Sequence, residues 1–149
     1  LHLPLTLTII ESLLLRVGES IFSIPSHNVK QFFSYNPQYI RVENQHYVYL
    51  YKDKILPIIN LRDLLHMTSH TQNDSQILIY VQTPTKEACL LVEDVIGYQH
   101  VVDKPLPLLL NAEFKKHTGI SGCSLLGDGR ICMTLNMKLL LDMRGDDNE

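Results

Sequence analysis

The run Gly119–Met133 constrains this chain more than any other stretch. Leu125-Leu126 and Ile131–Leu135 are apolar, and Gly127-Asp128-Gly129-Arg130 lies between them. Asp and Gly both tolerate positive φ, so Asp128-Gly129 predicts a two-residue type I′ turn between antiparallel strands. The reading is a hairpin near the end of a β domain.

The rest of the chain repeats that texture. Leu3, Leu5, Leu7 and Ile9 alternate with Pro4, Thr6 and Thr8, which predicts a strand with one apolar face. Leu13–Val17 is a second apolar run. Gly18-Glu19 then predicts a two-residue II′ turn into Ile21–Ile24, with Pro25 at the strand end. Tyr47, Tyr49 and Tyr51 alternate with Val48 and Leu50, and Ile55–Ile59 returns as a partner strand broken by Pro57. Asn60 predicts an N-cap for a short helix over Leu61–Met67. Ile77–Val81 and Ala88–Val92 predict a hairpin, Tyr98–Val102 a further strand, and Asn136 the cap of a last helical turn through Leu141. About ten short strands argue for a sandwich or barrels. The polar stretch Thr68–Gln76 is the expected boundary between two lobes.

Composition narrows the function classes. A chain of 149 residues buries roughly 68–70% of its unfolded surface and needs no staples. The net charge of −3 carries no basic excess, which argues against a nucleic-acid partner. No apolar run is long enough to span a bilayer, so no direct membrane insertion is expected. Cys89, Cys123 and Cys132 have no metal-ligand spacing and read as buried apolar residues in a reducing compartment.

No catalytic constellation stands out along the chain. Gly127-Asp128-Gly129 lacks the helix and Lys of a phosphate loop. His66 and His70 have helical i, i+4 spacing, but the second falls in the polar stretch and they read as a solvated pair. The acids Glu93 and Asp94 are adjacent, so in a strand they face opposite ways and do not converge for acid–base work. The expectation is no enzyme activity, no cofactor and no metal. The tyrosine ladder has two readings: one packed face of a strand, or a partner surface built on large rigid rings.

The pieces also carry a family resemblance. Gly119–Gly129 resembles the Gly-x-Ser-Gly-x-x-x-Leu-Gly-Asp-Gly stretch of CheW-like domains. Ile55–Leu61 is similar to the family's apolar-Pro-apolar strand and helix entry. Leu91–Gln99 is similar to its Val-Asp-x-x-x-Gly-x-Gln segment, and Val101–Leu106 to its Val-Val-x-Lys-x-Leu. Leu3–Ile10 resembles the last strand of the ATP-binding domain of CheA-type chemotaxis histidine kinases, so the chain reads as a piece of a longer protein. Residues 1–10 are then the tail of that domain and residues 11–149 a CheW-like regulatory domain.

The resemblance implies an all-β fold of two small five-stranded barrels packed side by side, with short helices. It implies a non-catalytic cytoplasmic scaffold at receptor arrays. The implied partners are a CheW-type coupling protein, chemoreceptor tips and the other domains of the kinase. Candidate contact residues are Val29 and Gln31 on a probable edge, the hairpin residues Tyr49, Tyr51, Lys52, Asp53 and Lys54, and Gly97 of the glycine motif. Lys52-Asp53 stands where family members often carry Arg-Gly. Asp53 can take the left-handed conformation there, but Lys52 is not a planar bidentate donor. The alternatives are a free-standing CheW-type coupling protein and, from another class, a small β-barrel that binds a ligand or nucleic acid.

Overall fold

The computed structural model describes residues 8–64, 76–105 and 119–146. Eleven strands and two α-helices lie along them: β1 (Thr8–Val17), β2 (Ser20–Pro25), β3 (Val29–Ser34), β4 (Ile40–Glu43), β5 (His46–Tyr51), β6 (Lys54–Asn60), α1 (Leu61–Leu64), β7 (Ile77–Gln82), β8 (Glu87–Val92), β9 (Asp94–Pro105), β10 (Ile120–Leu125), β11 (Ile131–Leu135) and α2 (Met137–Asp146).

Two lobes result. One is a closed five-stranded barrel in the order β1-β2-β11-β10-β9. The other is a six-stranded sheet in the order β3-β7-β8-β6-β5-β4. This sheet curls, because side chains of its first strand reach β5. Tyr51 Oη donates to Gln31 Oε1 at 2.6 Å, and the Phe33 ring stacks on Tyr51 with centroids 5.6 Å apart. The lobe is therefore barrel-like, with no closing backbone ladder among the described residues. Among the described residues each lobe contains one parallel pair, β11 with β2 and β6 with β8.

The chain enters through the barrel, builds the whole curled sheet from β3 to β8, and returns to the barrel with β9. The stretch 68–76, expected as the lobe boundary, lies outside the described residues except for Gln76. The strands on either side of it, β6 and β7, belong to the same sheet.

β1 shows why the lobes pack. Leu13, Leu14 and Leu15 are all fully buried, so both faces of the strand are covered. Leu14 points into the barrel with Ile21, Val101, Leu126 and Cys132. Leu13, Leu15 and Val17 point out of it, into the largest core. There Phe22 and Ile24 of the barrel, Ile79, Val81, Ala88 and Leu90 of the sheet, and Leu140 of α2 meet. A third cluster fills the curled sheet: Tyr49, Leu56, Leu78, Tyr80 and Cys89. Full burial of each such aliphatic chain contributes about 1.5–3 kcal/mol, so the shared core binds the lobes into one unit.

Several local expectations change in the structure. The runs around Ile9 and Leu13–Val17 belong to one strand, β1, and Leu3–Leu7 lie outside the described residues. Gly18-Glu19 does form a two-residue turn, with φ of 63° at Gly18. The last hairpin does not use a type I′ turn. Leu126 N donates to Arg130 O at 2.7 Å and Gly129 N to Leu126 O at 2.9 Å, which encloses a three-residue loop. Gly129 alone takes positive φ, 90°, and Asp128 does not. That is a type I turn closed by a left-handed residue. Asp128 uses its carboxylate instead, accepting from Arg130 N at 3.0 Å and Arg130 Nε at 2.6 Å.

In the Lys52-Asp53 turn the positive φ, 52°, falls on Lys52 and not on Asp53. Pro57 does not break β6. Residues Lys54–Pro57 pair with β5 and Ile58–Asn60 with β8, so proline stands where the strand changes neighbours. Both helix caps form. Asn60 Oδ1 accepts from Arg62 N, and Asn136 Oδ1 from Leu139 N, each at 3.0 Å. α2 runs on past the single turn expected, to Asp146.

Candidate protein-interaction surface

β3 lies at one end of the curled sheet and pairs, among the described residues, with β7 alone. Val29 opens it, half-buried against the shared core. Lys30 is skipped in the register between Val29 and Gln31, a bulge of the kind that twists an edge. Gln31 is exposed, with its side-chain oxygen held by Tyr51.

The β5–β6 turn lies across from that edge. Lys52 Nζ sits 5.3 Å from the Tyr51 ring centroid, over its face. Asp53 is exposed at the tip. Lys54 Nζ donates to Glu87 Oε1 at 2.9 Å and to Tyr80 Oη at 3.2 Å. Tyr80 Oη also donates to Glu87 Oε1, and Gln82 Nε2 does so at 3.2 Å. The hydrogen bonds from Tyr80 and then Lys54 hold the Glu87 carboxyl below its ordinary range. The bonds to Glu87 and then Tyr80 push the Lys54 ammonium up. Burial, followed by the bond to Glu87, raises the Tyr80 phenol.

The structure thus brings Gln31, Tyr51, Lys52 and Lys54 into one rim. Asp53 stands at the tip of the same turn and Val29 beside Gln31 on β3, whereas Tyr49 and Gly97 are separated from the rim. Tyr49 is 6% exposed and packs on Phe33 with centroids 5.0 Å apart, so it is a core ring and not a contact surface. Burial also raises its phenol pKa. Only Tyr47 of the ladder points into solvent, at 62% exposure. The inward reading of the ladder holds for Tyr49 and half-buried Tyr51. Gly97 stands in the other lobe, opposite Leu14 on β1, where the register skips Ile96. Its φ of 140° fits a bulge that only glycine makes without strain.

Sequence reasoning missed one ionic site. Glu93 occupies the single position between β8 and β9, where the chain crosses from sheet to barrel. Its carboxylate side chain is 10% exposed and faces Arg62 of α1 and Arg16 of β1, the latter at 3.4 Å. It also accepts from Gly18 N at 3.0 Å. Glu93 therefore ties the β1–β2 turn of one lobe to the helix of the other. Its partners lie 31 to 77 positions away along the chain, so no local pattern announces it. Asp94 is exposed and bonds Val95 N, apart from Glu93.

Two of the three thiols, Cys89 and Cys132, are buried. Burial pushes Cys89 up to about 12 and raises Cys132 as well. Among the described residues no group of His, Cys, Asp and Glu is placed to hold a metal, and no helix is long and apolar enough to cross a membrane. His66 and His70 lie outside the described residues.

The relatives fit this architecture. Chemotaxis protein CheA of Borreliella burgdorferi is 29% identical over 150 aligned positions, covering all of this chain and 17% of that protein. CheA of Treponema pallidum is 30% identical over 145, covering 96% and 17%. CheA of Listeria innocua is 29% identical, covering 93% and 22%. The chain thus spans about a fifth of the length of these relatives. The scaffolding protein CheW of Thermoanaerobacter tengcongensis shares the fold, with a TM-score of 0.67 over 87% of this chain and 90% of that one at 13% identity. The profile of the CheW-like domain matches residues 11–145, and with two interlocked β lobes beneath that match, the chain belongs to the CheW-like domain family.

Proposed function

We propose that this chain is the regulatory CheW-like domain of a chemotaxis histidine kinase. It acts in the cytoplasm at receptor arrays as a non-catalytic scaffold that binds a CheW-type coupling protein and chemoreceptor tips, and it couples receptor state to phosphorylation elsewhere in the kinase. The observation that carries the reading is coverage: CheA relatives match the chain nearly end to end while extending several-fold beyond it. A free-standing coupling protein is the rival, and CheW supports it through fold similarity alone.

The rim of Gln31, Tyr51, Lys52, Asp53 and Lys54, with Val29 beside it on the same strand, is the surface we assign to the coupling protein. It joins aromatic area to charged side chains at an edge strand, the mixture typical of an interface rim. The network below it fixes Tyr51 and Lys54, so docking orders few side chains. Calorimetric titration with a CheW-type protein tests the reading. A dissociation constant on the order of micromolar, about −8 kcal/mol, is expected. Lys52→Glu and Asp53→Lys stand at the exposed turn and leave folding intact; each should weaken binding several-fold. Absence of binding by the folded wild-type chain overturns the partner, and full binding by both variants overturns the surface.

A further inference from the structure

We propose that β4 is a self-recognition edge, through which two copies of this chain pair strand to strand about a two-fold axis at Val42. This goes beyond binding of a coupling protein and uses a different edge of the curled sheet.

β4 pairs with β5 in the register Ile40↔Tyr49, Arg41↔Val48, Val42↔Tyr47 and Glu43↔His46, and among the described residues it pairs with nothing else. Asn44 and Gln45 both take positive φ, 52° and 68°, which makes the connection a two-residue type I′ turn. The residues flanking such a turn, Glu43 and His46, form a hydrogen-bonded pair. Bonded and non-bonded pairs alternate, so Arg41 also faces β5, while Ile40 and Val42 turn their backbone groups away from it, the Ile40 N–H donating to Pro37 O. Arg41 Nη1 covers the Ile40 carbonyl at 2.9 Å and the Gln38 carbonyl at 3.0 Å. Val42 is left as the open position on the edge.

Charge then selects one register. An antiparallel two-fold pair centred on Arg41 or Glu43 would set like charges opposite each other, which destabilises a ladder. A pair centred on Val42 sets Arg41 opposite the second copy's Glu43, twice, and joins the two Val42 backbones by mutual N–H···O=C bonds. Parity admits a two-fold centre at Val42, and charge selects it over Arg41 and Glu43.

The apolar face completes it. Val42 is 63% exposed and its neighbour Tyr47 is 62% exposed. In the paired state they line up across four strands as Tyr47, Val42, Val42 and Tyr47, one from each strand in turn. The two-fold relation makes the interface isologous, so it closes at two copies and does not propagate. A strand of four residues buries far less than the roughly 1,200 Å² of a standard stable interface, so the contact is weak and matters where copies are held close together.

Sedimentation velocity of the full chain across roughly 10 µM to 1 mM tests this, with circular dichroism confirming the fold of each variant. Wild type should show concentration-dependent dimer. Arg41→Glu alone and Glu43→Arg alone each place like charges across the axis and should weaken the dimer at least tenfold. An equimolar mixture of the two single variants should form heterodimer, since positions 41 and 43 are then both acidic on one copy and both basic on the other. The double variant should dimerise like wild type. A monomeric wild type at 1 mM overturns the proposal. So does self-association that survives both single reversals, or a mixture that stays monomeric.

Discussion

The tyrosine ladder offers a severe test, because one residue type on one strand occupies three environments. Tyr47 is 62% exposed, Tyr49 is 6% exposed, and Tyr51 is half-buried between them in degree. Tyr49 fills the curled sheet against Phe33 and Tyr39, at centroid separations of 5.0 and 5.9 Å. Truncating a buried ring removes its transfer energy and leaves a cavity, so Tyr49→Ala should cost about 3–5 kcal/mol. Tyr51→Ala loses a stacked contact with Phe33, an edge contact with Tyr80 and a hydroxyl bond to Gln31. With part of the ring already wet, about 1–2 kcal/mol is expected. Tyr47→Ala should stay within about 0.5 kcal/mol of wild type. For a chain of this size each kcal/mol moves the midpoint by roughly 2–4 °C, so the expected drops are about 6–20 °C for Tyr49, 2–8 °C for Tyr51 and under 2 °C for Tyr47. Urea unfolding with an unchanged m-value separates stability from altered compactness. Equal, small shifts at Tyr49 and Tyr47 would refute the inward curl of the sheet on which the site assignment rests.

Four further outcomes can be measured. Gly129→Ala should destabilise by about 1–2 kcal/mol because a Cβ is strained at φ of 90°, although nothing lies within 4 Å of it; Gly127→Ala, with ordinary φ and open space, should be neutral or slightly stabilising in the same urea assay. Glu93→Gln removes the charge facing Arg62 and Arg16 and should cost about 2–3 kcal/mol, checked by thermal unfolding in low and high salt, where the deficit should persist because the site is shielded. Glu87 is held below the ordinary carboxylate range, so its contribution is complete above that range and is lost as pH falls through its folded value; Glu87→Gln should flatten the decline in stability between about pH 5 and 3, and an unchanged profile would contradict the network. Cys123, which is half-buried, should react with an aromatic disulfide reagent in the native state, while Cys89 and Cys132 should react only on unfolding.

What the sequence reveals, and what it hides, follows from the range of the signals. The hairpin of β7 and β8 and both Asn caps rest on patterns a few residues long, and these are legible. β4 is not. Ile40-Arg41-Val42-Glu43 carries only two apolar residues, and its turn uses Asn44-Gln45 where Asn-Gly would mark a hairpin. β1 reads as two segments because Glu11-Ser12 interrupts the apolar residues. Ser12 is 3% exposed nonetheless, since the barrel interior is partly polar, with Ser23 and Thr134 also buried. The left-handed residue in two turns falls away from where composition suggests, at Lys52 and not Asp53, and at Gly129 without Asp128. Backbone hydrogen bonding sets the turn type there, and side-chain tolerance only permits it. The rim is legible in part: strand alternation locates the ladder, but only the curl decides which rings face inward.

The order of strands lies beyond any local pattern, and it bears directly on function. A domain made of two sequential lobes could lose one and keep the other. Here β1 and β2 precede the curled sheet while β9, β10 and β11 follow it, so the barrel cannot close until the sheet has brought the chain back. The largest core sits between the lobes and draws on both. At the return crossing, one residue separates the last sheet strand from the barrel strand, and its carboxylate is fixed by guanidinium groups from each lobe. A displacement of the β5–β6 rim is therefore resisted through β6, α1, Arg62 and Glu93 by the barrel itself. That chain of contacts is continuous from rim to barrel, as the proposed scaffold role requires if partners on one lobe are to be held relative to the other.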